Sequence, residues 1–264
     1  MTNSARLQDK VILVTGSGTG IGEGMARRFV GEGARVMVHD REPGSARAVA
    51  ADLGDRASFV IGDLEHRDVP AKVIEQTVGR FGRIDGLVNN AAVKTRGTIE
   101  ETDEAAFDRT VTVNLKAPFF LIRAAMPHFR RQGGGRVLNI GSINAYCGEK
   151  NQCIYSAIKG ALMTLTRNLA DAHAAENIHV HQINPGWVLT PNELALKATE
   201  GLPEDWPSRL PREWAPSGRL LSAEDIAAAA VYLLSDEAAI INGAVLDMEQ
   251  YPMIGRNPPK EFGR

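Results

Sequence analysis

The chain has 264 residues, of which 44% are hydrophobic and 23% charged, with a formal net charge of −2. One α/β domain can reach this length with an adequate core, and this charge balance excludes the basic surface that binds nucleic acid by neutralising phosphates. Two cysteines, Cys147 and Cys153, exclude a disulfide framework.

No run of 18 uncharged apolar residues suggests a membrane span, and the polar start MTNSARLQDK has no signal-peptide core. A cytoplasmic, reducing location is therefore expected, with both thiols small and buried or half-buried. In chain order, KVILVTG (10–16) reads as a buried strand and residues 21–31 as a helix. Between them TGSGTGIG (15–22) supplies Gly16, Gly20 and Gly22, which allow a tight turn and close approach of a ligand. The helix that starts near Gly20 would present free N–H groups to a pyrophosphate. In a site of this kind Gly16, Ser17, Thr19, Gly20 and Ile21 are the residues expected to cradle the cofactor. ARVMVHD (34–40) is the second strand. Its last residue, Asp40, lies 20 positions after Gly20, where an acidic residue binds the adenosine ribose and repels a 2′-phosphate. That favours NAD; the adjacent Arg41 keeps NADP as the lesser alternative.

Further strands are expected at ASFVIGD (57–63), IDGLVNN (84–90), GRVLNIGS (135–142), IHVHQINPG (178–186) and GAVLDM (243–248). Helical patterns fall at residues 68–81, 104–131 and 153–175, with Pro70 fitting a first turn and Pro127 a kink or boundary. Continuous Val/Ile/Leu strands alternating with helices predict a Rossmann-type, doubly wound parallel sheet with helices on both faces, in a single domain over 1–264. Residues 191–217 carry five prolines and two tryptophans and are expected to lack a regular element. A substrate loop at 188–217, closing over the site, is the expectation for such an insert. In YSAIKG (155–160), Tyr155 and Lys159 stand one helical turn apart.

Taken together, TGSGTGIG, Asp63 in GDL, NNAA at 89–92, Asn114 in VNL, Ser142 in NIGS, YSAIK at 155–159 and NPGWVLT at 184–190 resemble the classical short-chain dehydrogenase/reductase family over roughly residues 6–250. Ser142 precedes Tyr155 by 13 residues, as in the family pattern. The chain departs from that pattern at Ala92, where the family usually has Gly, and in its ending, DMEQYPMIGRNPPKEFGR, which puts the usual C-terminal contacts of residues 249–264 in doubt. The resemblance implies hydride transfer at a CH–OH group. Tyr155 would be the acid/base, Ser142 would polarise the substrate oxygen, and Asn114 would help hold a relay water. Lys159 would bind the nicotinamide ribose and lower the Tyr155 pKa below 10, since a neighbouring cation favours the phenolate. It further implies cofactor contacts at Asp63, Leu64, Asn90, Ala91, Ala92, Pro185, Gly186, Val188 and Thr190.

Candidate substrate residues are Lys94, Asn144, Gln152 and Trp187, within a largely polar set that suits a sugar, polyol or sugar acid better than a steroid or acyl chain. An NADP-dependent carbonyl reductase such as a 3-oxoacyl reductase, and a non-catalytic cofactor-binding regulator, are the alternatives. No metal is expected. A homotetramer is expected from the resemblance and from the apolar breadth of residues 117–126 and 157–169.

Overall fold

Residues 5–251 are described by the computed structural model. Seven strands, β1 (Val11–Thr15), β2 (Arg35–Asp40), β3 (Ala57–Ile61), β4 (Gly86–Asn89), β5 (Gly135–Ile140), β6 (Ile178–Pro185) and β7 (Val245–Met248), form one sheet of order β3-β2-β1-β4-β5-β6-β7. Every pairing is parallel. Each expected strand is therefore present, shortened by a few residues where the predicted run continued into a turn.

Alternation along the strands divides the core into two layers. Ile12 and Val14 pack with α1 (Gly20–Gly31), α2 (Pro43–Leu53) and α9 (Ala223–Leu234). Leu13 points the other way, toward α3 (Val69–Phe81), α5 (Ala117–Gln132) and α7 (Cys153–His173). Coverage on both faces is why the strands read as unbroken apolar runs. The sheet is a Rossmann-type, doubly wound fold.

The predicted helix over 104–131 is α4 (Glu104–Val111) running into α5 through a π-helical turn, Thr112–Lys116, that contains Asn114. Pro127 lies inside α5 and does not end it. The stretch 191–217 is more ordered than expected. It contains α8 (Pro191–Thr199) and a 3-10 turn at Trp206–Arg209. Pro191 sits in the first turn, where its missing N–H costs nothing, and the Thr190 hydroxyl caps Glu193 N–H. Trp206, Ala215 and Leu220 form a small third apolar cluster there.

The chain moves outward from β1 to β3, then returns to place β4 on the other side of β1. Connections after β1 and β4 thus diverge, opening a crevice at their carboxyl ends.

Candidate active site

A cleft of ≈630 Å³ occupies that crevice. Gly16, Thr19, Gly20, Ile21, Asp40, Arg41, Asp63, Leu64, Asn90, Ala91, Ala92 and Thr190 all line it, as does Lys94. Gly16 has φ +61°, and a Cβ there would come within 2.8 Å of Ala91 Cα, so the turn requires glycine. Thr19 precedes α1 without capping it by its side chain, which leaves the first-turn N–H groups to a ligand anion. Ser17 is placed differently. It is fully buried, and its hydroxyl donates to Val14 C=O at 2.7 Å and accepts His39 N–H at 3.2 Å, so its side chain belongs to the framework of the turn. Asn90 Nδ2 donates to the carbonyls of Thr15 and Gly16, both at 2.9 Å, tying β4 to the same turn.

Asp40 accepts Gly18 N–H at 3.0 Å on one oxygen and Glu42 N–H at 3.1 Å on the other. Arg41 lies 3.6 Å from the Glu42 carboxylate. Two carboxylates therefore face the end of the cleft where a ribose would lie. Asp63 accepts Glu65 N–H at 3.0 Å, shaping the turn after β3. His39, unmarked in the sequence, links these turns: its Nδ1 accepts Gly16 N–H at 3.5 Å, so Nε2 donates to Gly62 C=O at 3.0 Å. Burial pushes this imidazole down to about 4, keeping it neutral.

The catalytic candidates converge from β5, α7 and the π turn. Lys159, 3% exposed, donates to Ile140 C=O at 2.7 Å, and its ammonium lies 5.4 Å from the centre of the Tyr155 ring. The Ser142 side chain stands close enough to the Tyr155 hydroxyl to favour its ionised form. Ser142 Oγ also accepts Asn144 N–H at 3.2 Å, and Ser142 N–H donates to Asn184 at 3.2 Å. Asn114 is buried, and its amide clamps Val93 through N–H and C=O at 2.8 Å each. Its side chain thus fixes the loop after β4.

The tuning of Tyr155 runs against the sequence expectation. Burial pushes the phenol up to about 12, Ser142 pulls it down, and the Glu149 carboxylate pushes it further up. Burial also lowers Lys159 to about 8, which weakens the cation that was expected to dominate.

The substrate side is built from β6, α8 and the segment before α7. Asn144 and Gln152 both donate to Glu149, at 3.3 and 2.7 Å. Trp187 donates its indole N–H to Glu193 at 2.8 Å and stacks on Trp206, with centroids 5.4 Å apart. Lys94 faces Glu193 at 3.6 Å, and Arg96 pairs with Glu200 at 2.7 Å, so two ion pairs fasten α8 to the loop after β4. Glu149 is held by its sequence neighbours, whereas Glu193 also receives Lys94 from the loop after β4. Val188 is buried and bridges Leu221. Gly186 follows Pro185 closely against Glu249, whose carboxylate a Cβ at that position would strike. Gln250 then donates to Arg219 C=O at 2.7 Å and accepts Ser217 N–H at 2.9 Å, so the start of the unusual ending packs on the end of the substrate loop. Residues 252–264 of that ending lie outside the described residues. Cys153 is half-buried as expected, whereas Cys147, at the end of the short helix α6 (Asn144–Cys147), is exposed.

The family model for short chain dehydrogenases matches residues 10–201. An uncharacterized oxidoreductase of Thermotoga maritima is 36% identical, over 92% of this chain and 96% of its own. The L-fucose dehydrogenase of Oryctolagus cuniculus is 34% identical over 99% of this chain and 91% of its own. The crystal structure of 3-ketoacyl-(acyl-carrier-protein) reductase from Brucella melitensis complexed with NADH superposes with a TM-score of 0.83, at 34% identity, over 91% of this chain and 97% of that one. With a glycine turn, a Ser142–Tyr155–Lys159 constellation and these relatives in agreement, the chain belongs to the short-chain dehydrogenase/reductase family and is an oxidoreductase acting on CH–OH groups with a nicotinamide cofactor.

Proposed function

We propose that the protein is an NAD-dependent oxidoreductase that interconverts a secondary alcohol and a ketone, or a lactol and a lactone, on a polyhydroxylated compound such as a sugar, polyol or sugar acid. The observation that carries the chemistry is the convergence of Ser142, Tyr155 and Lys159 at the carboxyl edge of β5. Asp40, with Glu42 drawing Arg41 aside, supports NAD over NADP, because a 2′-phosphate would meet two carboxylates.

The residues present fit the cofactor. The Gly16–Ile21 turn would hold the pyrophosphate, Asp40 the adenosine ribose, Asp63 and Leu64 the adenine, and Lys159 the nicotinamide ribose. Val188 and Thr190 would face the carboxamide. When bound, NAD accepts the hydride that leaves the carbinol carbon. Tyr155 takes the hydroxyl proton in oxidation and returns it in reduction. Ser142 donates a hydrogen bond to the substrate oxygen and holds the phenol in register. Lys159 lends positive charge beside the phenolate. Asn114 fixes the loop carrying Val93 and Lys94, so that the wall facing the substrate is preorganised. Trp187 and Trp206 supply apolar cover that excludes water.

The ketoacyl reductase among the structural neighbours supports a second reading, a carbonyl reductase, although its complex with NADH lends nothing to NADP. The amides and carboxylates around Glu149 speak against an acyl chain. A symmetric homotetramer completes the proposal. NAD(P)H absorbance turnover over sugars, polyols, hydroxy acids, hydroxyacyl thioesters and steroids, with both cofactors, tests it. Polyhydroxylated substrates turned over with NAD at least tenfold better in kcat/KM than with NADP are the expected result; preference for NADP and an acyl thioester would overturn it.

A further inference from the structure

The wall beside Tyr155 offers more hydrogen-bond acceptors than donors. One oxygen of Glu149 takes both nearby amides, Gln152 Nε2–H at 2.7 Å and Asn144 Nδ2–H at 3.3 Å. That fixes the orientation of the Gln152 amide. Its Oε1, in a residue only 2% exposed, is left beside the carboxylate without a donor. The preceding residue repeats the pattern, with Asn151 Oδ1 buried and unpartnered. The second oxygen of Glu149 accepts no hydrogen bond among the described residues. Buried acceptors without donors are costly; the two amide oxygens are closed to solvent, whereas the free oxygen of half-buried Glu149 is the one that an O–H group of a ligand can reach.

The same wall treats an anion differently. A carboxylate or phosphate would bring further acceptors and a like charge to Glu149. The cations at the cleft that could receive such a group already face carboxylates, Lys94 at Glu193 (3.6 Å), Arg109 at Glu65 (2.6 Å) and Arg41 at Glu42 (3.6 Å), and Arg96 beside them is paired with Glu200. An acyl chain would leave the free Glu149 oxygen unmet. We propose that Glu149, set in place by Asn144 and Gln152, accepts hydroxyl groups of the substrate and makes the enzyme select neutral polyhydroxylated compounds over their carboxylate- or phosphate-bearing counterparts. This rests on the polyhydroxylated-substrate reading and narrows it by excluding the sugar acids.

The test compares kcat/KM on matched pairs, an aldose or alditol against the aldonic or uronic acid of the same configuration, with a simple cycloalkanol as a substrate lacking neighbouring hydroxyls. The wild type should favour the neutral member at least tenfold. Glu149→Gln keeps shape and removes charge. It should raise KM for the neutral polyol at least tenfold, narrow the neutral-to-anionic ratio, leave KM for the cycloalkanol within twofold, and bind NADH as the wild type does by fluorescence. Gln152→Met removes the shorter of the two bonds that set Glu149 in place and should also raise KM for the polyol, which provides a second reading should Glu149→Gln fold poorly. A wild-type preference for the acid, or an unchanged polyol KM in both variants, overturns the proposal while leaving the polyhydroxylated-substrate reading intact. Turnover of thioesters or steroids with no polyol of either charge overturns both.

Discussion

At the scale of single residues, the site sets a half-buried phenol near a cation and a carboxylate. Tyr155 is pushed up to about 12 and faces Ser142, Glu149 and Lys159, the last itself lowered to about 8. A phenol that holds its proton is a ready acid for carbonyl reduction and must lose that proton to act as base. Alcohol oxidation should therefore accelerate as pH rises into the alkaline range, with carbonyl reduction falling over the same range, as pH–rate profiles of kcat in the two directions would show. Because Glu149 raises the phenol, Glu149→Gln should move the oxidation profile to lower pH; an unmoved profile would show that the carboxylate does not reach Tyr155. Lys159→Met removes the cation and a cofactor contact together. It should lower kcat by at least 10² and raise the KM for NAD, whereas loss of kcat alone would confine Lys159 to tuning. Asp40→Ala should raise the KM for NAD and relax rejection of NADP, measured as the ratio of kcat/KM for the two cofactors.

At the scale of elements, α8 and the loop that follows it form a unit with its own small core. Trp206 is 2% exposed and stacks on Trp187, apart from the two layers that flank the sheet. Truncation of a buried tryptophan costs about 3–5 kcal/mol. Trp206→Ala should therefore open this unit locally: limited proteolysis would cut within residues 188–217 faster, and NAD with substrate would protect less than in the wild type. The melting temperature of the sheet should move little, and a collapse of the whole fold would contradict the separation of the cores. The unit also shows where sequence patterns fall short. Strand runs such as VILVT were legible because burial on both faces leaves its mark locally. Pro191 was read as a breaker although, after the capping Thr190, it is a start signal. The capping box Ser222–Asp225 that opens α9 was equally present in the sequence and passed unread. His39 between two turns and Lys94 on Glu193 depend on tertiary placement, whereas the contacts of Glu149 with Asn144 and Gln152 and of Glu193 with Trp187 join near neighbours and follow from how the loops turn. The direction of the Tyr155 shift also depends on placement: spacing shows that Lys159 is near, but only the fold shows Lys159 buried and the phenol drawn partly out of water.

At the scale of the whole molecule, stability and catalysis depend on different residues and can be separated. His39 and His181 are both held down at about 4 by burial, against about 6.5 in an unfolded chain. Between those values the unfolded chain binds more protons, so stability present above pH 6.5 is lost as pH falls toward 4. Thermal melts across that range should show the decline, and His39→Gln with His181→Gln should flatten it. Exposed Phe119 on α5, with Leu246 and Ile240 near the free edge of β7, leaves apolar surface suited to a symmetric assembly; light scattering at micromolar concentration should give the mass of a tetramer, and a monomer would contradict that part of the proposal. The chemistry itself rests on one proton. Tyr155→Phe keeps the ring and deletes the acid/base group, leaving the glycine turn and Asp40 untouched. The direct measurement is kcat of this variant on the best substrate, with a deuterium isotope effect on the wild type to show that hydride transfer limits the rate. The account predicts unchanged melting and NADH binding with kcat reduced by at least 10²; a variant that keeps more than about a tenth of wild-type kcat would assign the proton to another residue.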